Sequence, residues 1–114
     1  MDRDLYRELV DIARDRRTET YGELGRVVGL SMGNPRHREV IGGLLDEIDR
    51  REHAAGRPQL AAVVVRKRER VPGRGFFVIA RGLGLHSGED DLAYWREELR
   101  RVHDYWSARS GAPR

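Results

Sequence analysis

Three groupings of side chains in this 114-residue sequence have types and spacings that chemistry could use. Asp46, Asp49 and His53 stand at i, i+3 and i+7. On a helix that brings them within about 60° of one another, and two carboxylates with an imidazole on one face form a donor set for a divalent metal. The simpler reading of the same three is a solvated face with Arg50 nearby. A wider set, Glu47, Glu52, His53 and Lys67, could form a metal-dependent nuclease site, with the carboxylates on metal and Lys67 near the scissile phosphate. Its spacing is generic. Glu52 stands out further because it falls on an apolar stripe. A carboxylate there needs a partner, exposure at the helix end, or a functionally shifted pKa. Arg57 or Lys67 is the expected partner, in a structural salt bridge.

The third grouping is cationic. Arg66, Lys67, Arg68, Arg70 and Arg74 face a single acid, Glu69, a local net charge of +4 in a chain whose total is +3. The rest of the chain sums to −1, so the basic character sits in one short segment. That is the pattern of a local contact with an anion, or, more blandly, of a solvated loop tip. The chain contains no cysteine, which removes disulfides, thiolate zinc sites and thiol nucleophiles. No apolar run approaches the ~18 residues of a membrane span, and none follows a basic N-terminus. The expectation is a soluble, cytoplasmic domain with no membrane contact, no metal and no cofactor.

The elements that must position these groups follow from periodicity and capping. Leu5, Leu9 and Ile12 recur at helical spacing and predict an amphipathic helix from Asp2 to about Arg16. Thr20 with Glu23 forms a capping box for a second, shorter helix that stops at Gly29. Asn34 and Pro35 begin a long third helix, roughly Arg36 to Ala55, whose stripe is Ile41, Leu44, Leu45, Ile48, Glu52 and Ala55. Gly42 and Gly43 lie inside it at a cost of roughly 1 kcal/mol each, which points to close backbone approach by another helix or by a ligand. Leu60 to Val65 reads as a buried strand. Val71-Pro72-Gly73-Arg74 reads as a turn, and Gly75 to Ile79 as a returning strand that sends Phe76 and Phe77 to opposite faces. A last amphipathic helix over 87–106, capped by Ser87 or Asp90, carries Leu92, Trp95, Leu99, Val102 and Trp106. Residues 107–114 read as a flexible tail.

That order predicts one α+β domain, a winged helix-turn-helix of three helices and a β-hairpin wing, with an additional C-terminal helix. Such a domain sets a helix in the major groove and its wing against the phosphate backbone. Arg36, His37 and Arg38 would then face the groove at the start of helix 3. Arg66, Lys67, Arg68, Arg70 and Arg74 would form the wing, and Tyr21 would contact the backbone or fill the core.

Thr20-Tyr21-Gly22-Glu23-Leu24, Asn34-Pro35-Arg36, Gly42-Gly43, the apolar strand and Gly75-Phe76-Phe77 resemble the DNA-binding domain of alkylguanine-DNA alkyltransferases and their non-catalytic alkyltransferase-like relatives. The resemblance covers about residues 5 to 80. It implies a role at the DNA backbone for Tyr21 and a DNA-facing helix carrying the Gly-Gly pair. The family's Pro-Cys-His-Arg motif has no counterpart at Ala62-Val63-Val64-Val65-Arg66, so alkyl transfer is excluded. Its intercalating arginine falls on Glu39, beside Arg38.

A non-enzymatic protein binding double-stranded DNA is therefore the first expectation. The alternatives are a protein-interaction module and the small nuclease above. Tyr94, Trp95, Tyr105 and Trp106 on one helix also suggest a homodimer or a protein partner through the C-terminal helix.

Overall fold

The protein was analysed as a computed structural model, which describes residues 1–109. Five helices and one short parallel strand pair make up the fold. Helix α1 is Arg3–Arg14, capped where the Asp2 carboxylate accepts from the Leu5 N–H at 2.9 Å, and it buries Leu5, Leu9, Ile12 and Ala13. Strand β1, Glu19–Thr20, leads straight into α2, Tyr21–Val27, whose Thr20–Glu23 capping box is complete in both directions. Gly25 is obligatory here, since a Cβ on it would lie 2.8 Å from the Leu30 carbonyl oxygen.

Helix α3, Pro35–Ala54, has Pro35 in its first turn and the Asn34 side chain accepting from the Arg36 N–H at 2.9 Å. It buries Ile41, Leu45, Ile48, Asp49 and Glu52. A 3-10 turn, Leu60–Val63, then runs into β2, Val64–Val65, which pairs parallel with β1 in the register Glu19↔Val64 and Thr20↔Val65. All six residues from Leu60 to Val65 are buried, and the 3-10 turn packs on α1, α3 and α5. Helix α4 is Arg74–Gly82, and α5 is Asp91–Ala108 with the Asp90 carboxylate accepting from the Ala93 N–H. Among the described residues no helix is long and apolar enough to cross a membrane.

The winged helix-turn-helix is not formed, because there is no β-hairpin wing among the described residues. The two strands are parallel and two residues long, and Gly75 to Ile79 belongs to α4. The physical reason lies in spacing that an apolar run hides. Phe76, Ile79 and Ala80 are buried at i, i+3 and i+4, while Val78 between them is 53% exposed, which is helical rather than alternating. Phe76 and Phe77 accordingly meet edge to face, with ring centroids 5.2 Å apart, instead of pointing to opposite sides of a sheet. The segment from Arg66 to Gly73 connects β2 to α4 and is a loop, not a wing tip.

Two smaller expectations also change, and the tryptophans of the expected amphipathic C-terminal helix take core places. A Cβ at Gly42 or Gly43 would meet nothing within 4 Å, so no helix packs closely there. The aromatic face of α5 turns inward: Trp95 donates its indole N–H to the Ala62 carbonyl at 2.9 Å, and Trp106 packs edge-on against Tyr6. That face serves this chain's own core. Finally, α5 continues to Ala108, beyond the expected start of the tail at 107, and the remaining part from 110 to 114 lies outside the described residues.

Candidate nucleic-acid interface

A cleft of about 500 Å³ opens between α2, α3 and the start of α4. Its floor is apolar, with Ile41 and Leu45 from α3 and Phe76 from α4, and Tyr21 of α2 stands at one wall. Arg38 from the first turns of α3 and Arg66 with Lys67 from the β2–α4 loop line the same cleft, and all three are exposed. Gly42 borders it as well, with open space where a side chain would be. The close approach of another helix expected at the Gly-Gly pair is not found at Gly42.

The basic loop has a defined shape. The Arg66 N–H donates to the Val71 carbonyl at 2.8 Å, and the Arg70 N–H returns to the Arg66 carbonyl at 3.0 Å. Arg70 takes a left-handed φ of 58° to close this turn, a conformation uncommon outside glycine. Tyr21 then pins the loop to α2, its hydroxyl accepting from the Gly73 N–H at 2.8 Å. Burial raises the Tyr21 pKa, so the hydroxyl stays neutral. A Cβ on Gly73 would lie 3.2 Å from that hydroxyl, which makes glycine the residue that fits. Tyr21→Phe should lower stability by about 1 kcal/mol and speed hydrogen exchange at the Gly73 amide selectively. Uniform exchange across the chain would count against the pinning role.

The other expected DNA contacts are dispersed around this centre. Arg36 is exposed; His37 is half-buried, its Nδ1 accepting from the Ser31 N–H at 2.9 Å, so it shapes the α2–α3 loop. Arg38 donates to the Met32 carbonyl at 2.8 Å, which steadies it at the cleft. Arg68, Arg70 and Arg74 are exposed but do not line the cleft. Tyr21, Arg38, Arg66 and Lys67 are the expected site residues that one site brings together.

The acidic candidates are separated. Glu47 pairs with Arg51 at 3.6 Å and with the N-terminal amine at 3.8 Å. Glu52 is fully buried and bonded to Arg57, the first of its two expected partners, while Lys67 lies at the cleft. His53 is exposed. Among the described residues no three histidines or carboxylates come together in a group that could hold a metal. Neither the Asp46–Asp49–His53 set nor the Glu47–Glu52–His53–Lys67 set is assembled.

Asp49, expected on a metal-binding or solvated face, takes a different place. It is buried at the cleft floor, accepting from the Ala61 N–H at 2.9 Å and from the Gln59 side-chain amide at 3.0 Å. Gln59 in turn accepts from the Tyr94 hydroxyl and donates its backbone N–H to Glu98 at 2.8 Å. Burial pushes the Asp49 carboxyl up to about 7, against the pull of those two hydrogen bonds. Asp46, half-buried on the cleft wall, is also raised by burial, with Arg50 opposing. The one available signal was angular: Asp49 lies only 40° from Leu45 on α3, at the flank of the apolar stripe.

No family model, curated protein or solved structure matches this chain.

Proposed function

We propose that the protein is a non-enzymatic binder of double-stranded DNA that grips the phosphate backbone across the Arg38–Arg66–Lys67 cleft. What supports this is one observation: cations from two segments separated by almost thirty residues of sequence line one cleft. Arginine's planar fork suits phosphate oxygens, and each neutralised phosphate releases counterions. Arg36, Arg68, Arg70 and Arg74 extend the cationic surface around that centre, and Tyr21 holds the loop in register with α2.

The reading predicts binding to random-sequence duplex that weakens steeply between 50 and 200 mM salt. The triple variant Lys67→Gln, Arg68→Gln, Arg70→Asn should lose affinity and flatten the salt slope by about 2.7, from roughly 0.9 per lost phosphate contact. Asn is chosen at position 70 because it tolerates the left-handed backbone. Fluorescence anisotropy at several salt concentrations measures both. Unchanged affinity and slope would remove the loop from the interface, and a wild-type protein that binds no duplex at 50 mM salt would end the reading.

A further inference from the structure

We infer that the floor of the cleft binds a small aromatic carboxylate with a hydroxyl at the far end of its ring. A phosphate backbone gripped by the rim leaves that floor uncovered. The floor is a concavity of about 500 Å³, within the range of small-molecule sites. Its lining is ordered along α3, where Arg38, Ile41, Gly42, Leu45, Asp46 and Asp49 recur at helical spacing and share one face. Read along that face, the order is cation, apolar stretch, acid. Arg38 is exposed and steadied by its bond to the Met32 carbonyl. Ile41 and Leu45 follow, both buried, with Phe76 of α4 lining the same floor. Asp46 comes two turns after Arg38, about 12 Å along the helix axis.

Asp46 defines the second end of the ligand. It is half-buried, and among the described residues it accepts no hydrogen bond and joins no ion pair; Arg50 acts on it through charge alone. Asp49 differs, since both of its oxygens are engaged, by the Ala61 N–H and the Gln59 amide. A plain hydrocarbon body would strip water from Asp46 and return nothing. A hydroxyl supplies the missing donor. An ammonium would supply one too, but it would shed its own hydration beneath a rim that carries Arg38, Arg66 and Lys67. At the other end a carboxylate suits the free N–H groups of the Arg38 fork. An aromatic ring is the rigid apolar body between them, and the open space at Gly42 leaves room for its flat face. Because the acid takes Arg38, it should exclude duplex from the cleft. That consequence rests on the DNA reading, whereas binding of the acid does not.

Isothermal titration calorimetry of the full chain with para-hydroxyphenylpropanoate tests the site. Phenylpropanoate and para-propylphenol are the controls, each lacking one polar end. The hydroxy acid should bind one per chain with a dissociation constant on the order of 100 μM. Each control should bind at least about tenfold more weakly. Asp46→Ala should bind the hydroxy acid and phenylpropanoate equally, a levelling that a merely damaged cleft would not produce. Gly42→Leu fills the open space with a side chain and replaces a helical glycine by a better helix former. It should lose the acid while melting no lower than wild type. In fluorescence anisotropy the hydroxy acid should displace duplex from the wild type. Duplex binding without any heat from the acid at millimolar concentration would overturn this inference and leave the DNA reading standing. Heat from the acid without duplex binding would end that reading and leave this site standing. Equal affinity for all three compounds, or acid binding undiminished by Gly42→Leu, would also overturn the inference.

Discussion

Replacing Arg57 by alanine should cost about 2 kcal/mol of folding stability, a large effect for one partly exposed side chain. Glu52 has no solvent exposure, and among the described residues Arg57 is the one cation ion-paired to it. Arg57 holds one oxygen of the carboxylate, and the Tyr6 hydroxyl is a further polar group that interacts with it. Tyr6 shares the pocket, and its hydroxyl is pushed up to about 12, first by burial and then by Glu52. Removing one partner of a fully buried pair costs roughly 3–5 kcal/mol because the other charge is stranded. Arg57 is 30% exposed, and water will enter its place, which brings the expectation below that range. The same substitution in a Glu52→Gln background should cost less than about 1 kcal/mol, since no charge is then stranded. Urea unfolding followed by circular dichroism closes the cycle. Equal costs in both backgrounds would show that Arg57 acts through packing alone.

This pair also marks how far local sequence reasoning reaches. Arg57 lies five residues from Glu52, just past the end of α3, so local spacing could offer it as one of two candidate partners. The caps were legible for the same reason: Thr20 with Glu23, Asn34 with Pro35, and Asp90, one of two residues offered for α5, each act within three residues. Residues 60 to 79 were not. A short apolar run fits a strand, a 3-10 turn or a buried helix equally well, and what decides is which side chains find cover from elsewhere. Val64 and Val65 find it beside Glu19 and Thr20, a pairing across more than forty residues that no local pattern encodes. That same pairing delivers Arg66 and Lys67 to the cleft beside Tyr21, so the site's charges were readable one by one while their meeting was not. The hairpin expectation and the reading of Asp49 as a metal donor or part of a solvated face share a cause. Both turn on partners far along the chain, in Asp49's case the Ala61 amide and the Gln59 side chain.

Asp49 carries the second large effect, and its sign is set by the direction of the shift. An unfolded aspartate loses its proton near pH 4, whereas the folded one holds it up to about 7. Between those values the native state binds more protons than the unfolded state, so stability falls as pH rises through that window. At about 1.4 kcal/mol per pKa unit, the fall from this residue is on the order of 2–4 kcal/mol. Asp46, raised by burial, adds in the same direction, while Asp91, held low by His86 and Arg81, and Glu23, held low by Thr20, oppose it. The comparison of wild type with Asp49→Asn isolates the one group, because the others titrate in both proteins. The asparagine carbonyl can keep the Ala61 N–H. If the Gln59 amide turns by 180°, its oxygen accepts from the new side chain and its NH₂ faces the Tyr94 hydroxyl. Near pH 4 the two proteins should then have similar stability, and near pH 7.5 the variant should be the more stable by the full difference. Parallel profiles would mean that Asp49 titrates normally. Because Asp49 also lines the cleft with Arg38 and Lys67, its proton removes a negative charge from beneath the proposed phosphate contacts. Duplex affinity of the wild type should therefore decline as pH rises past 7, and that of Asp49→Asn should not.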